Sequence, residues 1–370
     1  GKRDPLWSRG LGDVYKRQTS CNDNLDSIDI GPNYDRASLL ENWFNNHINP
    51  SYNNFSNELS QFNSDVLDAK DNGLDESRLE ILRNSFNRAY KAWQYVEMFN
   101  IGKAEEIYYS STINIYPVNV PRIESNITSG NYDLNNANNF AAQGLPTIDY
   151  LLYGIGDSNS EIIEKLNNTN YINYLVALTS QMSINTSAVI NNWETYKSEF
   201  LSSTDNTATS AVNMMVNDFI YYYEKGFRAN KFGIPGGVFS STPIPENLES
   251  YFSGSSKALS IEAMSAIKDF FVGKHPFNGN TYSGSSLNSI ILELDENLGQ
   301  NNLATRISDK IDVAIEKIND LDENYYSQIQ NDNNKFLQTY DAIQEVVVLL
   351  KVDMLQLLSI NVDYVDADGD

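Results

Sequence analysis

The chain has 370 residues and is strongly acidic, with 49 Asp and Glu against 26 Lys and Arg and a formal net charge of −23. This charge argues against nucleic acid as a partner, because binding to phosphates requires a basic surface. Apolar residues make up 41% and charged residues 20%, so the composition allows a sizeable core. A single cysteine excludes an intrachain disulfide and a Cys-based zinc site, and two histidines argue against a His-rich metal centre.

The first 33 residues are expected to lie outside the folded region. Residues 1–18 carry five Lys and Arg against two Asp, unlike the acidic remainder, and they lack the apolar core of a signal peptide. We interpret them as a non-native segment. Cys21 is followed by a polar, acidic stretch that resembles the start of a mature bacterial lipoprotein, where this cysteine would be lipidated. The alternative is an unpaired cysteine in a polar tail.

From residue 34 onward apolar residues recur at helical spacing, and no alternating strand pattern is found. The sequence therefore predicts an all-α fold. Residues 108–131 contain Pro117 and Pro121 and are predicted to be extended, and Ser158 with Glu161 forms a capping box that starts a helix. The other predicted helices are 35–47, 52–70, 75–100, 147–153, 171–201, 207–231, 259–272, 286–298, 305–331 and 334–360.

The two halves of the chain are loosely alike. Each contains a long, aromatic-rich helix that ends at a glycine, then an extended proline-containing stretch and a short helix. This pattern suggests an internal duplication and predicts two helical bundles, residues 34–202 and 203–370, with a cleft between them.

The stretch 143–154 carries the first candidate site. Gly144 should end the preceding segment, Pro146 suits the first position of a new helix, and Asp149 would lie in its first turn. Glu97 falls on or beside the apolar face of the predicted helix 75–100. The two carboxylates would suit a hard cation or ferric iron. The alternative is an aspartate stabilised by the helix dipole and a glutamate paired with a base.

The second half carries charged and hydroxyl groups that would face the same cleft. Arg228 and Lys231 could bind an anionic group such as an iron chelate, or they could simply be cations favoured at a helix C-terminus. Glu249, Ser250 and Ser253 are expected to line the cleft as well. As a nucleophile Ser253 would need a base, and the weak contexts of the two histidines argue against a serine hydrolase.

Four segments, 89–102, 143–154, 228–235 and 249–253, resemble the imelysin-like family and occur in that family's order. These bacterial cell-envelope proteins are named for an insulin-cleaving peptidase and are often associated with iron acquisition. The resemblance implies two helical bundles with a functional pocket between them. It also implies a periplasmic or outer-membrane lipoprotein that contacts the membrane only through a lipid anchor and has an envelope transport partner.

One departure from the family pattern bears on activity. The family's Gly-x-His-x-x-Glu signature supplies its proposed metal ligands, and here Gly144 matches while Pro146 replaces the histidine and Asp149 the glutamate. Proline has no donor atom, and the chain contains no His-Glu-x-x-His motif. The sequence therefore favours binding over catalysis.

Three hypotheses follow. The first is a non-enzymatic protein that binds a metal ion (iron, calcium or zinc), or a metal-bearing small molecule or peptide. The second is a metal-dependent peptidase of the imelysin type, and the third is an envelope interaction protein without a small ligand. The predicted lining of the cleft consists of Glu97, Gly144, Asp149, Arg228, Lys231, Glu249, Ser250 and Ser253, with Asp149 and Glu97 as metal ligands.

Overall fold

A computed structural model describes residues 32–280, 285–299 and 302–363, and over these ranges the chain is helical without a β-strand. The all-α prediction is confirmed. No helix in these ranges is both long and apolar enough to cross a membrane. The predictions for residues 1–31, including lipidation of Cys21, lie outside the described residues.

The α-helices are α1 (Arg36–Asn42), α2 (Asn49–Asn72), α3 (Glu76–Trp93), α4 (Lys103–Glu106), α5 (Tyr109–Ile113), α6 (Val120–Ser129), α7 (Gly144–Asp149), α8 (Asn159–Leu166), α9 (Thr169–Ser202), α10 (Ala211–Tyr221), α11 (Ile234–Gly236), α12 (Ser256–Val272), α13 (Leu287–Leu298), α14 (Leu303–Asp320), α15 (Tyr325–Val348) and α16 (Leu355–Leu358). Wider π-helical segments extend four of them, at Trp43–Ile48, Tyr150–Gly154, Tyr222–Gly233 and Leu349–Met354. Short 3₁₀ helices lie at Ala137–Ala142 and Pro245–Asn247.

The predicted break between helices 35–47 and 52–70 is wrong, because the chain stays helical from α1 through α2. Pro50 lies at the start of α2, directly after the π-helical segment Trp43–Ile48. A proline inside a helix removes one backbone hydrogen bond, and a wider π-helical turn is one way in which a helix accommodates such a loss.

Two further helix limits differ from the prediction. The predicted helix 305–331 ends at Asp320, because Asn324 accepts a hydrogen bond from Ser327 N and caps a new helix, α15. The segment 108–131 was predicted to be extended, yet it contains α5 and α6. Pro121 lies in the first turn of α6, where a proline favours a helix instead of preventing it.

Helix α3 positions the first part of the site. Asp75 caps its N-terminus by accepting a hydrogen bond from Arg78 N, and its apolar face is buried. The helix ends at Trp93, seven residues before the predicted end, because the next N–H groups bond three residues back, as in Val96 N to Trp93 O at 2.8 Å. Glu97 therefore lies in the turn after α3 and not on the helix.

The described residues belong to one compact unit with one connected apolar core. Before residue 203, α2 packs on α3 and α9; after it, α15 packs on α14 and on the π-helical segment Tyr222–Gly233. Phe270 of α12 contacts both parts, with ring centroids 5.3 Å from Trp43 and 5.1 Å from Phe219. The division into two duplicated bundles at residue 202 stays a prediction.

Candidate functional site

Helix α7 begins at a glycine that no other residue can replace without distortion. Gly144 has φ +76°, and a Cβ atom built on it would lie 2.2 Å from Ile113 O. Because Gly144 has no Cβ atom, its backbone can lie this close to Ile113 O, and the start of α7 packs against the end of α5. Because α7 starts at Gly144, Pro146 is its third residue and Asp149 its sixth, so the predicted placement of Asp149 in the first turn is wrong.

Asp149 bonds to the loop of residues 249–254, which we call the clamp loop. Its Oδ2 accepts a hydrogen bond from Phe252 N at 2.9 Å, and both oxygens lie within reach of Ser253 N, at 3.3 and 3.4 Å. Ser250 Oγ donates to Oδ1 at 3.3 Å. The side chain thus joins α7 to a loop about a hundred residues later in the chain.

The environment of Asp149 acts on its charge in two directions. The residue is 1% exposed, and burial raises the pKa of its carboxyl to about 6, against hydrogen bonds from the clamp loop that lower it. At pH 7.5 the side chain is therefore ionised. Its negative charge is balanced by backbone dipoles and hydroxyl groups.

A small cavity of about 170 Å³, the Asp149 pocket, lies beside this contact. Asp149, Ser250 and Phe252 form one part of its wall and Tyr116 another. Pro146 also lines it, at the position where the resemblance places a metal-binding histidine.

A buried polar network lies on the other side of the clamp loop. Lys231 Nζ donates to Glu249 Oε2 and to Gln94 Oε1, the latter at 2.8 Å. Glu249 Oε1 accepts from Gln94 Nε2 at 3.1 Å and from Asn114 Nδ2 at 2.9 Å. All four side chains are buried. Lys231 and Glu249 therefore neutralise each other inside the protein.

Glu97 extends this network toward a larger cavity. Its Oε1 accepts from Asn114 Nδ2 at 3.2 Å, whereas its buried Oε2 makes no hydrogen bond with any described residue. The Trp93 indole is close enough to lower the pKa of Glu97, but its N–H does not reach hydrogen-bond geometry. Burial outweighs this effect and the attraction of Lys231, and it raises the pKa of Glu97 to about 7.

The larger cavity, the Glu97 pocket, has a volume of about 420 Å³. Residues of the turn after α3, of α4 and α5 and of the segments next to these two helices form one wall, and residues of α10 and the π-helical segment Tyr222–Gly233 form the other. Its lining is Glu97, Met98, Asn100, Glu105, Tyr108, Ser110, Ser111, Asn114, Ile115, Asp218, Tyr221, Tyr222, Lys225, Gly226 and Asn230. The charged groups are three carboxylates and one lysine, so the pocket is negative when its acids are ionised.

Three of the lining side chains have unusual environments. Tyr222 is 5% exposed, and its hydroxyl group is buried without a hydrogen-bond partner among the described residues. Burial, together with Glu105 and Asp363, raises the pKa of Asp218 to about 8. Tyr108 is 68% exposed and has φ +53°, a strained conformation of the kind found at functional sites.

Arg228 does not line either pocket. It is 1% exposed, and its guanidinium group donates to the Tyr340 hydroxyl and to Gln344 Oε1 inside the second half of the chain. Of the predicted residues, the clamp loop brings Asp149, Glu249, Ser250 and Ser253 together. Asp149 and Glu97 line different cavities, so they do not form the joint site that the sequence predicts.

The metal site that the resemblance implies does not fit these residues. Pro146 supplies no donor atom, and the oxygens of Asp149 already accept hydrogen bonds from the clamp loop. Throughout the described ranges, no three His, Cys, Asp or Glu side chains are grouped so that they would hold a metal.

Several site residues are not predicted by the sequence. Gln94 and Asn114 complete the buried network, but neither type of residue signals a site by itself. Tyr222 lies in a run of three consecutive tyrosines within a predicted helix, where aromatic residues are most simply core. Only Gln94 carries a usable signal, because it lies three residues before Glu97 in one of the four family-like segments.

These features define an all-helical protein with a polar site where its earlier and later helices meet. Residues 48–352 match the imelysin family, Peptidase M75, and the chain belongs to this family. No match is found among curated proteins.

Two solved structures share the fold. An imelysin-like protein from Psychrobacter arcticum 273-4 is 18% identical with a TM-score of 0.67, over 89% of this chain and 96% of the other. A protein assigned as an iron-regulated protein A precursor, from Parabacteroides distasonis ATCC 8503, is 15% identical with a TM-score of 0.72 and the same coverage.

Proposed function

We propose that this member of the imelysin family is a non-enzymatic binding protein whose Glu97 pocket takes a metal cation that keeps its hydration shell. The observation that carries the proposal is that two residues lining this pocket, Glu97 and Tyr222, each hold a buried polar atom, Oε2 and the hydroxyl, without a hydrogen-bond partner among the described residues. Each unpaired buried polar atom costs roughly 1–3 kcal/mol, and a ligand that supplies partners would recover this free energy.

The charge of the pocket determines whether a cation or an anion is favoured as the ligand. Glu97, Glu105 and Asp218 are acids, and the single lysine in the lining is Lys225. Lys231 is bonded to Glu249, and Arg228 is buried elsewhere, so neither is available for an anionic chelate as the sequence suggests. Above about pH 8, where these acids are ionised, a cation is therefore favoured over an anion.

The size of the pocket supports a hydrated ion. Each water occupies about 30 Å³ in the liquid, so six waters around an ion need roughly 200 Å³. The Glu97 pocket offers about 420 Å³. A hard divalent ion can, as Mg²⁺ often does, keep several waters and bind through one or two carboxylates, which does not require the grouped inner ligands that the described residues lack.

The cellular role we propose rests on the family. One structural relative is assigned as an iron-regulated protein, and we propose that this chain serves iron acquisition in the bacterial cell envelope, held there as a lipoprotein through Cys21. A peptidase is not favoured, because the two residues that would be its metal ligands are Pro146 and the engaged Asp149.

Calorimetric titration with Fe²⁺, Zn²⁺ and Ca²⁺, in separate experiments, tests the proposal. We expect saturable binding of at least one ion to the wild-type protein and at least a tenfold loss of affinity in Glu97→Gln. Glu80→Gln is the matched control, because Glu80 is an exposed acid on α3 outside the pocket. Equal binding by both variants, or no binding to the wild type, would contradict the proposal.

The pH dependence provides a second test of the same site. With a pKa of about 7, Glu97 is roughly one-tenth ionised at pH 6 and nine-tenths ionised at pH 8. Cation affinity should therefore rise about tenfold between these pH values. The rise should be smaller in Glu97→Gln, where Asp218 with its pKa of about 8 still titrates in the pocket, and it should be unchanged in Glu80→Gln.

A further inference from the structure

Asp149 occupies the position of a metal ligand in the family motif, but its contacts are those of an anion held by a polypeptide backbone. The amide hydrogens of Phe252 and Ser253 both point at its carboxylate, with Phe252 N at 2.9 Å from Oδ2. Two backbone donors from consecutive residues are a recurrent way of binding an anionic group.

The conformation of the clamp loop is specialised for this contact. Ser250 has φ +55°, in the left-handed region that a residue with a side chain rarely adopts, and Gly254 closes the turn with φ +69°. Ser250 Oγ and Ser253 Oγ are 2.7 Å apart, and the first of them also donates to Asp149. The strain at Ser250 is thus coupled to three or more hydrogen bonds that converge on one carboxylate.

The same loop carries Glu249 on its other side. Glu249 is bonded to Lys231, Gln94 and Asn114 in the buried network that reaches Glu97. Packing also holds the loop, because Phe252 lies against Tyr150 with ring centroids 5.1 Å apart and ring planes tilted by 60°. Phe252 also contacts Gly154, where a Cβ atom would lie 2.3 Å from its ring. A displacement of the loop would therefore move Glu249.

We propose that residues 250–253 form a backbone anion site whose resident anion is the Asp149 carboxylate, so that an intramolecular clamp replaces a metal centre here. Asp149 is then a positioning residue that holds the clamp loop, and with it Glu249, against α7. Once the Asp149 side chain is removed, the vacated site should accept a small monocarboxylate such as formate. This proposal is independent of what binds in the Glu97 pocket.

Hydrogen–deuterium exchange of the peptide 249–254, with and without sodium formate, tests the clamp. In Asp149→Ala we expect exchange to accelerate at least tenfold, and formate should restore much of the protection in a saturable manner. Ile148→Ala is the matched control, because it also truncates a buried side chain of α7 but leaves the anion site filled. Formate should not change its exchange.

The variant Asp149→Asn distinguishes two possible roles of Asp149, a hydrogen-bonded clamp and a metal ligand. The Phe252 and Ser253 amides both reach Oδ2, so one amide oxygen can accept from both, and we expect exchange close to that of the wild type. If Asp149→Ala does not fold in any buffer, the exchange rate of Asp149→Asn decides whether the clamp exists. Exchange as slow as in the wild type supports the clamp, and rapid exchange overturns it.

A zinc titration of Pro146→His completes the test. This substitution restores the histidine of the family signature, but we expect no zinc binding because the Asp149 oxygens are already engaged. Stoichiometric zinc binding by Pro146→His that Asp149→Asn abolishes would overturn the proposal. A lack of any formate effect on Asp149→Ala, relative to Ile148→Ala, would also overturn it.

Discussion

Asp149 and Glu97 are two carboxylates of similar character in very different circumstances. Burial raises the pKa of both, to about 6 and about 7. The oxygens of Asp149 are bonded to the clamp loop, whereas Glu97 Oε2 is buried without a partner among the described residues. A raised pKa therefore does not by itself mark a ligand site. What distinguishes the two is the number of hydrogen-bond donors around them: a structural carboxylate has donors for both oxygens, whereas a ligand site keeps one oxygen without a donor.

The largest effect is expected where the position of Asp149 depends on the backbone. Gly144→Ala would place a Cβ atom 2.2 Å from Ile113 O in a left-handed conformation, and we expect a loss of more than about 5 kcal/mol or of folding altogether. Urea denaturation measures the change. Gly130→Ala is the control, since Gly130 also has a positive φ but open space around it, and it should cost only about 1 kcal/mol.

The next effect concerns the buried network between the clamp loop and Glu97. Lys231→Met leaves Glu249 buried without its cation and should lower the free energy of unfolding by about 3–5 kcal/mol. The double variant Lys231→Met/Glu249→Gln removes both charges and should regain much of that loss. A double variant no more stable than Lys231→Met would show that the ion pair does not control this network.

The pH dependence of stability compares the two carboxylates directly. Because their folded pKa values lie above those of the unfolded chain, each group stabilises the fold at low pH and loses this contribution as the pH rises through its folded pKa. Asp149 should contribute up to about 3 kcal/mol, complete below pH 3.8 and lost above pH 6.

Urea denaturation between pH 8 and pH 4 tests this expectation. Stability should increase from pH 8 to pH 6 through Asp218, whose pKa is about 8, and through Glu97. Below pH 6 Asp149 adds to the increase, whereas protonation of the buried His47, whose pKa burial lowers to about 3, opposes it. Relative to the wild type, Glu97→Gln should reduce the slope of the curve between pH 8 and pH 6, and Asp149→Asn should reduce it between pH 6 and pH 4. A wild-type protein that is more stable at pH 8 than at pH 6 would contradict the assignment.

The smallest effect on stability is expected at Tyr222. Its hydroxyl has no partner among the described residues, so Tyr222→Phe should leave the free energy of unfolding unchanged or raise it by up to about 1 kcal/mol. Tyr52→Phe is the control, because Tyr52 donates to Phe99 O at 2.9 Å and should lose about 1 kcal/mol. If Tyr222→Phe costs as much as the control, the Tyr222 hydroxyl has a partner.

Helical spacing was enough to predict the all-α fold, and local capping signals identified the starts of α3 and α8. The sequence did not predict the continuous helix through Pro50 or the ends of α3 and α14, because π-helical turns and single capping residues do not change the spacing of apolar residues. The family-like segments pointed to Asp149, Glu249 and Lys231, and the structure places these residues at or beside the clamp loop.

The chemistry of the site was harder to predict. The sequence paired Asp149 with Glu97, yet the partners of Asp149 are backbone amides about a hundred residues away, and amides carry no sequence signal. From the sequence, Arg228 and Lys231 could bind an anion or simply favour a helix C-terminus; in the structure Tyr340, 112 residues from Arg228, and Glu249, 18 residues from Lys231, engage them. Such pairings depend on tertiary packing that residue spacing does not encode.

The most direct test of the contrast between the two carboxylates is to titrate Glu97→Gln and Asp149→Asn side by side with the divalent ion that binds the wild-type protein. At pH 8, where both carboxyls are ionised, each substitution removes one negative charge, so the variants differ only in which carboxyl is lost. We predict that Glu97→Gln weakens binding at least tenfold while Asp149→Asn binds within about twofold of the wild type. Loss of binding in Asp149→Asn with retention in Glu97→Gln would contradict this account.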